Sequence, residues 1–396
     1  MKIGFVLSST PANSETFFIA KIKGLQEMGH QVLLFANQNK DFDLCRLITH
    51  PKVGQNLFIQ VTRMIVSYLE MFLFRPFKSI CYLQLDKGDG IPFRTRWENL
   101  YLSNHIIKER LDWLHFGFAA MAYRRENVAQ CIGAKMGVSL RGYDICLYPL
   151  KYPGCYLHLW SKVDKVHSIS NALLKIAKKH GLTNTTPQIV IPPAINGDCF
   201  NQGKKKWEMS NDNKKKIHFL TVARLQWVKG LEYTFQALAI LNEKNIPFYY
   251  TVIGEGHERE RLIFAVHQMG LDNRVSFAGL SPHDDIKKHY KKADIYLQYS
   301  IQEGFCNAVL EAQAMRLLTI VSDADGLPEN VINNETGWVV PKRNPALLSK
   351  KIMEVINLTA TDKMEISSNA RKRVLREFKL DNQNKLFNSF FNNKND

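Results

Sequence analysis

No pair of cysteines in this 396-residue chain has the Cys-x-x-Cys spacing. The seven cysteines, Cys45, Cys81, Cys131, Cys146, Cys155, Cys199 and Cys306, are scattered and odd in number. That pattern argues against a disulfide framework and against a zinc site, and it suits a reducing cytosol. Long uncharged apolar runs are also missing: none reaches the ~18 residues that a membrane span needs. The longest apolar region, 57–77, is interrupted by Gln60, Arg63, Glu70 and Arg75. The first residues hold only a short apolar run, Ile3 to Leu7, which predicts a first strand and not a signal peptide. Acidic residues are in deficit, 37 against 53 lysines and arginines, so the formal charge is +16. Such an excess calls for an anionic partner or surface: nucleic acid, acidic lipid or a phosphorylated small molecule.

What is present is enough apolar material, 45% of residues, for a sizeable core. The length suits two or three domains. Short apolar strands alternate with amphipathic stretches throughout. Strands are predicted at 2–8, 31–36, 112–116, 137–141, 165–170 and 188–191, with a first helix over 15–28. This βαβ start implies a parallel sheet covered on both faces. A polar, lysine-rich stretch at 201–216 interrupts the pattern and predicts a linker. A second series follows, at 217–223, 248–254, 275–279, 295–299, 318–322 and 337–340. The expected organisation is an α/β chain with two Rossmann-like domains, 1–200 and 217–378. The tail, 379–396, carries a last helix that returns to the first domain. A ligand is expected at the carboxyl ends of the strands, in the cleft between the domains.

The second half carries the sharper motifs. Arg224 ends a strand, and Lys229-Gly230 follows five residues later, just before a helix. Two cations beside a helix N-terminus make a pyrophosphate-binding arrangement, although a solvated loop would show the same residues. Gly254 and Gly256 end another strand and would permit either a close ligand approach or a tight turn. In Glu303-Gly304-Phe305-Cys306-Asn-Ala-Val-Leu-Glu311 the second carboxylate lies roughly 12 Å further along if the segment is helical. That exceeds the ~5–10 Å of a glycosidase carboxylate pair. It suits two carboxylates gripping hydroxyls on two parts of one long ligand. The amides of Gly304 to Cys306 would face phosphates between them.

These motifs, together with Phe277-Ala-Gly279, Ala293-Asp294 and Glu335-Thr-Gly337, stand in the order of the large glycosyltransferase group 1 family, which the chain resembles. The resemblance is dense over 217–345 and looser before. It implies the GT-B fold, two parallel sheets facing across a cleft, and retaining transfer from a nucleotide diphosphate sugar. No His/Cys/Asp cluster in the sequence has metal-ligand spacing, so no metal and no further cofactor is expected. By position, Arg224 and Lys229 would bind the donor pyrophosphate, Glu303 the transferred sugar and Glu311 the ribose. The backbone from Gly279 to Ser281 would face the base. The chain departs from the family at Leu317-Leu318 and at Asp325-Gly326, where glycines are usual. These departures bear on the shape of the sugar pocket.

In the first half, Ser14 is a predicted N-cap, and its Ser-Glu-Thr-Phe setting resembles the loop that faces the donor in exopolysaccharide members of the family. His115 ends a strand and is expected either at the substrate or in the core. Arg141 stands where relatives carry a reaction-centre histidine. It cannot act as a base but can bind a phosphate or a developing charge.

Three other classes compete. Asp323 and Asp325 mimic the metal-binding Asp-x-Asp of the GT-A fold. A sugar-nucleotide 2-epimerase shares the two-domain fold, and a non-catalytic scaffold could derive from it. Nucleic-acid binding would need aromatic residues interleaved with the lysine runs, and these are lacking. The expected partners are therefore a nucleotide sugar and a saccharide or lipid-linked acceptor. Region 57–78 is either a core-facing helix or an interfacial one. The second alternative, with the positive charge, places a cytoplasmic protein at an anionic membrane surface.

Overall fold

The computed structural model describes residues 1–11, 16–39, 42–197, 199–201, 203 and 216–392. Ser14 and most of the lysine-rich stretch lie outside the described residues. The chain divides into two compact units, Met1–Ile191 with Asn384–Asp396, and Pro192–Gln383.

The first unit is built on seven strands: β1 (Lys2–Ser9), β2 (Gln31–Asn37), β3 (Arg46–Ile48), β4 (Trp113–Phe116), β5 (Lys135–Leu140), β6 (Lys165–Ser168) and β7 (Gln188–Val190). They form one parallel sheet in the order β3-β2-β1-β4-β5-β6-β7. Phe5 of β1 lies in register with Leu34 on one side and His115 on the other. Ile3, Phe5, Val6 and Leu7 are all essentially inaccessible, so the strand is a continuous apolar run and not an alternating one. Strand β3 escapes sequence reading because three residues are too few to show a period.

Four helices of this unit matter below: α1 (Thr16–Glu27), α2 (Leu57–Phe74), α3 (Pro76–Gly88) and α4 (Phe93–Ile107). Asn56 starts α2 by accepting the amides of Phe58 and Ile59 at 3.0 and 3.2 Å. Pro76 opens α3, and since it has no N–H to donate, α2 stops at Phe74. Only Ser67 and Met71 of α2 are buried. Leu57, Phe58, Ile65, Leu69, Leu73 and Phe74 are each more than half exposed. The core-facing reading of this segment is therefore wrong. By length and composition α2 is also apolar enough to cross a membrane, despite Arg63 and Glu70 within it.

The second unit repeats the plan with β8 (Ile217–Val222), β9 (Phe248–Ile253), β10 (Val275–Gly279), β11 (Ile295–Gln298), β12 (Leu318–Ser322) and β13 (Trp338–Val340). Their order is β10-β9-β8-β11-β12-β13, again all parallel. In both sheets the winding direction reverses beside the first strand, between β1 and β4 and between β8 and β11. At such a switch point the loops leave in opposite directions and open a crevice at the strand ends.

The last helix, Leu380–Asn392, sends Phe387, Phe390 and Phe391 into the core of the first unit, against Phe5 and Trp113. Phe390 is 1% exposed and packs 5.7 Å from Trp113 and 5.5 Å from His115. Phe390→Ala should destabilise this unit by about 3–5 kcal/mol. Urea unfolding followed by tryptophan fluorescence measures this, and a loss below 1 kcal/mol would show that the helix is not part of the core.

Candidate functional site

Strand β8 ends at Val222, and the chain leaves it through Ala223 and Arg224 into a short turn, Trp227–Lys229. Gly230 follows at φ +61° and opens the helix Leu231–Glu243. A side chain there would collide with the Tyr299 carbonyl, because the β11 loop runs directly against this turn. The two loops are stitched together by the amides of Ile301 and Gln302, which donate to the Val228 carbonyl at 2.8 and 3.3 Å. Gly254, at φ +136°, lets the β9 loop lie equally close to the Ala223 carbonyl. Both glycines thus act by backbone approach, and they fix the loop that carries the cations.

That packing brings Lys229 and Glu303 together. Lys229 Nζ lies 2.5 Å from Glu303 Oε2, and each side chain is only 12% exposed. Burial alone would pull the lysine pKa down, but the Glu303 carboxylate outweighs it and holds the ammonium above its ordinary value. Ser300 Oγ donates to the same oxygen at 3.3 Å, and the Gly326 amide donates to the Glu303 carbonyl at 2.9 Å. Arg224 is exposed at the end of β8, and its guanidinium has no hydrogen bond or ion pair among the described residues. The result is one spare cation beside one neutralised pair.

The helix Asn307–Ala314 starts after this loop. The amides of Gly304 and Phe305 have no protein acceptor among the described residues. Cys306 differs from expectation. Its amide donates to Asn330 Oδ1, and Asn330 Nδ2 returns a bond to the Cys306 carbonyl, both at 3.0 Å. That amide is not free for a phosphate. The Cys306 thiol is buried, and that burial pushes it up to about 12, so it is not poised as a nucleophile. The Phe305 ring packs on Phe378 at 5.6 Å, leaving only its backbone to a ligand. Glu311 is held by Tyr290, whose hydroxyl donates to Oε2 at 3.0 Å. Burial raises Glu311 to about 7. Gly279 accepts the Gly254 amide, and Ser281 is half-buried just beyond β10. Asp323 is exposed and accepts the Lys342 amide at 2.9 Å.

Residues 204–373 match the model of the family described as Glycosyl transferases group 1. This stretch is a group 1 glycosyltransferase domain. Over 96% of each chain, the protein is 23% identical to WcaL of Escherichia coli (strain K12), provisionally named a colanic acid biosynthesis glycosyltransferase. Over 41% of each chain it is 32% identical to the amylovoran biosynthesis glycosyltransferase AmsK of Erwinia amylovora. The fold matches a crystal structure of a glycosyltransferase from Rickettsia africae ESF-5 with a TM-score of 0.69 and 19% identity, covering 100% of this chain and 99% of that one. It also matches Anabaena HepE in complex with UDP and glucose, at 0.70 and 16%, covering 98% of each. The fold is GT-B.

Ahead of the group 1 domain, the first unit holds two more expected site residues. His115 is fully buried and is corrected to a core residue. Its Nε2 lies 2.8 Å from Ser139 Oγ and 3.3 Å from Lys21 Nζ, and the rings of Phe5, Phe390 and Phe391 surround it. Burial, and then the neighbouring Lys21, hold it well below the usual histidine range. The last helix covers this face of β4, so no substrate reaches the imidazole. Arg141, in contrast, is only half-buried at the end of β5. Its guanidinium stacks on Phe17 at 3.8 Å and donates from Nε to the Gly117 carbonyl at 3.2 Å. Asp144 anchors this turn by accepting the amides of Ala119 and Arg141 at 2.6 and 2.9 Å.

The sequence reading missed Tyr290, Ser300 and Asn330. Asn330 lies 24 residues from Cys306 and Tyr290 lies 21 from Glu311, so no local pattern announces either contact. Ser300 lies only three residues before Glu303, but a serine in a loop carries no signal of its own.

Glu311 generates a test. Its folded pKa, about 7, lies above the ordinary 4.5, so the native state holds this proton more tightly. The associated stability is complete below 4.5 and is lost as pH rises through 7. Glu311→Gln keeps the shape without the charge. It should raise the melting temperature of the ligand-free protein at pH 8 by roughly 2–4 °C, with the gap closing toward pH 5. A scan showing no gap at pH 8, or one that widens in acid, would contradict the assignment.

Proposed function

We propose that the protein is a retaining glycosyltransferase that moves a sugar from a nucleotide diphosphate sugar to a saccharide acceptor carried on a lipid. The observation that carries this reading is the Lys229–Glu303 pair at the β8/β11 switch point, with the unpaired Arg224 beside it. A bound diphosphate would draw Lys229 and Arg224, and Glu303 would then be free to accept hydrogen bonds from the sugar hydroxyls. The free amides of Gly304 and Phe305 add donors at the phosphates, and Glu311 is the acceptor for the ribose.

In the reaction, the bond from the anomeric carbon to the phosphate oxygen breaks, and a bond to the acceptor oxygen forms on the same face. The acceptor proton passes to the departing diphosphate oxygen. The protein needs no nucleophile of its own for this route. Its contribution is positioning and neutralisation of the leaving charge. The similarity to AmsK, an amylovoran biosynthesis enzyme by name, supports a place in exopolysaccharide assembly. The exposed apolar face of α2 supports a cytoplasmic protein peripheral on an anionic membrane.

Two outcomes test this reading. Lys229→Ala and Arg224→Ala should each lower transfer by at least ~100-fold with circular dichroism unchanged, as expected for a lost transition-state charge contact. Near-normal turnover in both would remove the site. The protein should also sediment with phosphatidylglycerol vesicles, less so in high salt, and much less after Leu69→Ser and Leu73→Ser. Phe72 is not a useful probe, because it packs on Trp97. Absence of sedimentation at low salt would contradict the membrane part alone.

A further inference from the structure

A cavity of about 590 Å³ opens in the first unit between α2, α4 and residues 49–51, which follow β3. Phe58, Ile59 and Val66 of α2 form an apolar wall, and His50, Arg63 and His105 provide polar groups. It sits at the carboxyl-end side of the sheet, because His50 Nε2 bonds the carbonyl of Leu7 near the end of β1, at 2.7 Å.

The proton positions follow from that bond. A carbonyl only accepts, so His50 Nε2 carries the hydrogen and His50 Nδ1 is the acceptor. His50 Nδ1 lies 3.0 Å from His105 Nε2, which must therefore donate. Burial, first among the causes, holds His105 down to about 2 and also lowers His50, so both rings are neutral. The neutral His105 is left with a bare lone pair on Nδ1. That atom is buried and has no partner, and the side chain is only 8% exposed. A buried acceptor left unsatisfied is costly, and a hydroxyl entering the cavity would satisfy it. An ionised phosphate oxygen would not, since it has no proton to give.

Arg63 supplies the complementary group. Its guanidinium lies against Gly54, and it has no ion pair among the described residues. One helical step away, the exposed stripe of Ile65, Leu69, Leu73 and Phe77 runs on from the apolar wall. A ligand matching all three features has a long apolar chain, an anionic phosphate and a hydroxylated head.

We propose that this cavity binds a lipid-phosphate-linked sugar, with its chain along α2, its phosphate at Arg63 and a sugar hydroxyl donating to His105 Nδ1. The proposal rests on the reading of the acceptor as lipid-linked and adds its binding site. Its test uses the full-length protein and glucosyl farnesyl diphosphate, titrated calorimetrically below its micelle concentration. Val66→Trp fills the cavity from a position that is 59% exposed, so the fold is spared. Arg63→Gln removes the phosphate contact, and His105→Leu removes the acceptor. Each should weaken binding of the probe by about tenfold or more, while titration of the nucleoside diphosphate remains as in the wild type. Farnesyl diphosphate, which lacks the sugar, should bind equally to the wild type and His105→Leu.

Three results would overturn the proposal: no binding of the probe by the wild type, unchanged binding by both Val66→Trp and Arg63→Gln, or a wild-type dimer that Val66→Trp dissolves. The last would make this face a contact between copies. A wild type that transfers sugar to a water-soluble saccharide yet ignores the probe would sink the cavity proposal and leave the donor site standing.

Discussion

Lys229 and Glu303 come from loops 74 residues apart, and neither could stay charged at 12% exposure without the other. Stranding one partner of a buried pair costs about 3–5 kcal/mol. Much of the second unit's loop architecture exists to bring these two groups together. The reversal of strand order opens the crevice, and Gly230 removes the one side chain that would keep the two loops apart. The amides on Val228 lock the approach, and Ser300 and Gly326 hold Glu303 by its carboxylate and its carbonyl. In the proposed reaction this pair receives an anion. A diphosphate offers the lysine a stronger partner, and a sugar's hydroxyls offer the carboxylate new donors.

The same logic of burial separates side chains that stay accessible from those that hold the frame. His115 and Arg141 both come from the carboxyl ends of adjacent strands, β4 and β5. One lies beneath three aromatic rings, and the other stacks on a ring with its guanidinium partly in solvent. Lys21, beside His115, is itself fully buried, and burial pulls its pKa well down. The cluster of Lys21, His115, Ser139 and His167 is thus a buried, hydrogen-bonded core beneath the last helix.

Much of this was legible in the sequence where a strand is long and apolar. Residues 318–322 and 275–279 coincide with β12 and β10, and the others agree to within two residues at each end. The spacing from Arg224 to Lys229 and from Glu303 to Glu311 picked out the loops that meet at the Lys229–Glu303 pair, because side chains placed at strand ends keep their positions from the local turn. What was not legible depends on distant packing. Cys306 loses its amide to Asn330, and His115 is closed off by a helix 275 residues later in the chain. Arg46 to Ile48 is too short to announce a strand. For α2, an apolar circumference cannot tell core from surface. Only the positions of α3 and α4 show that they cover its Ser67 and Met71 side and leave the rest open.

The most direct test separates the two halves of the donor. Glu303→Gln should be titrated with a nucleoside diphosphate and with its sugar-bearing form, using UDP and UDP-glucose or GDP and GDP-mannose, whichever pair the wild type binds. If Glu303 receives the sugar once Lys229 turns to the diphosphate, the variant binds the bare diphosphate as well as the wild type or better, and loses the added affinity that the sugar confers. Equal weakening of both ligands, or no effect on either, would contradict the account.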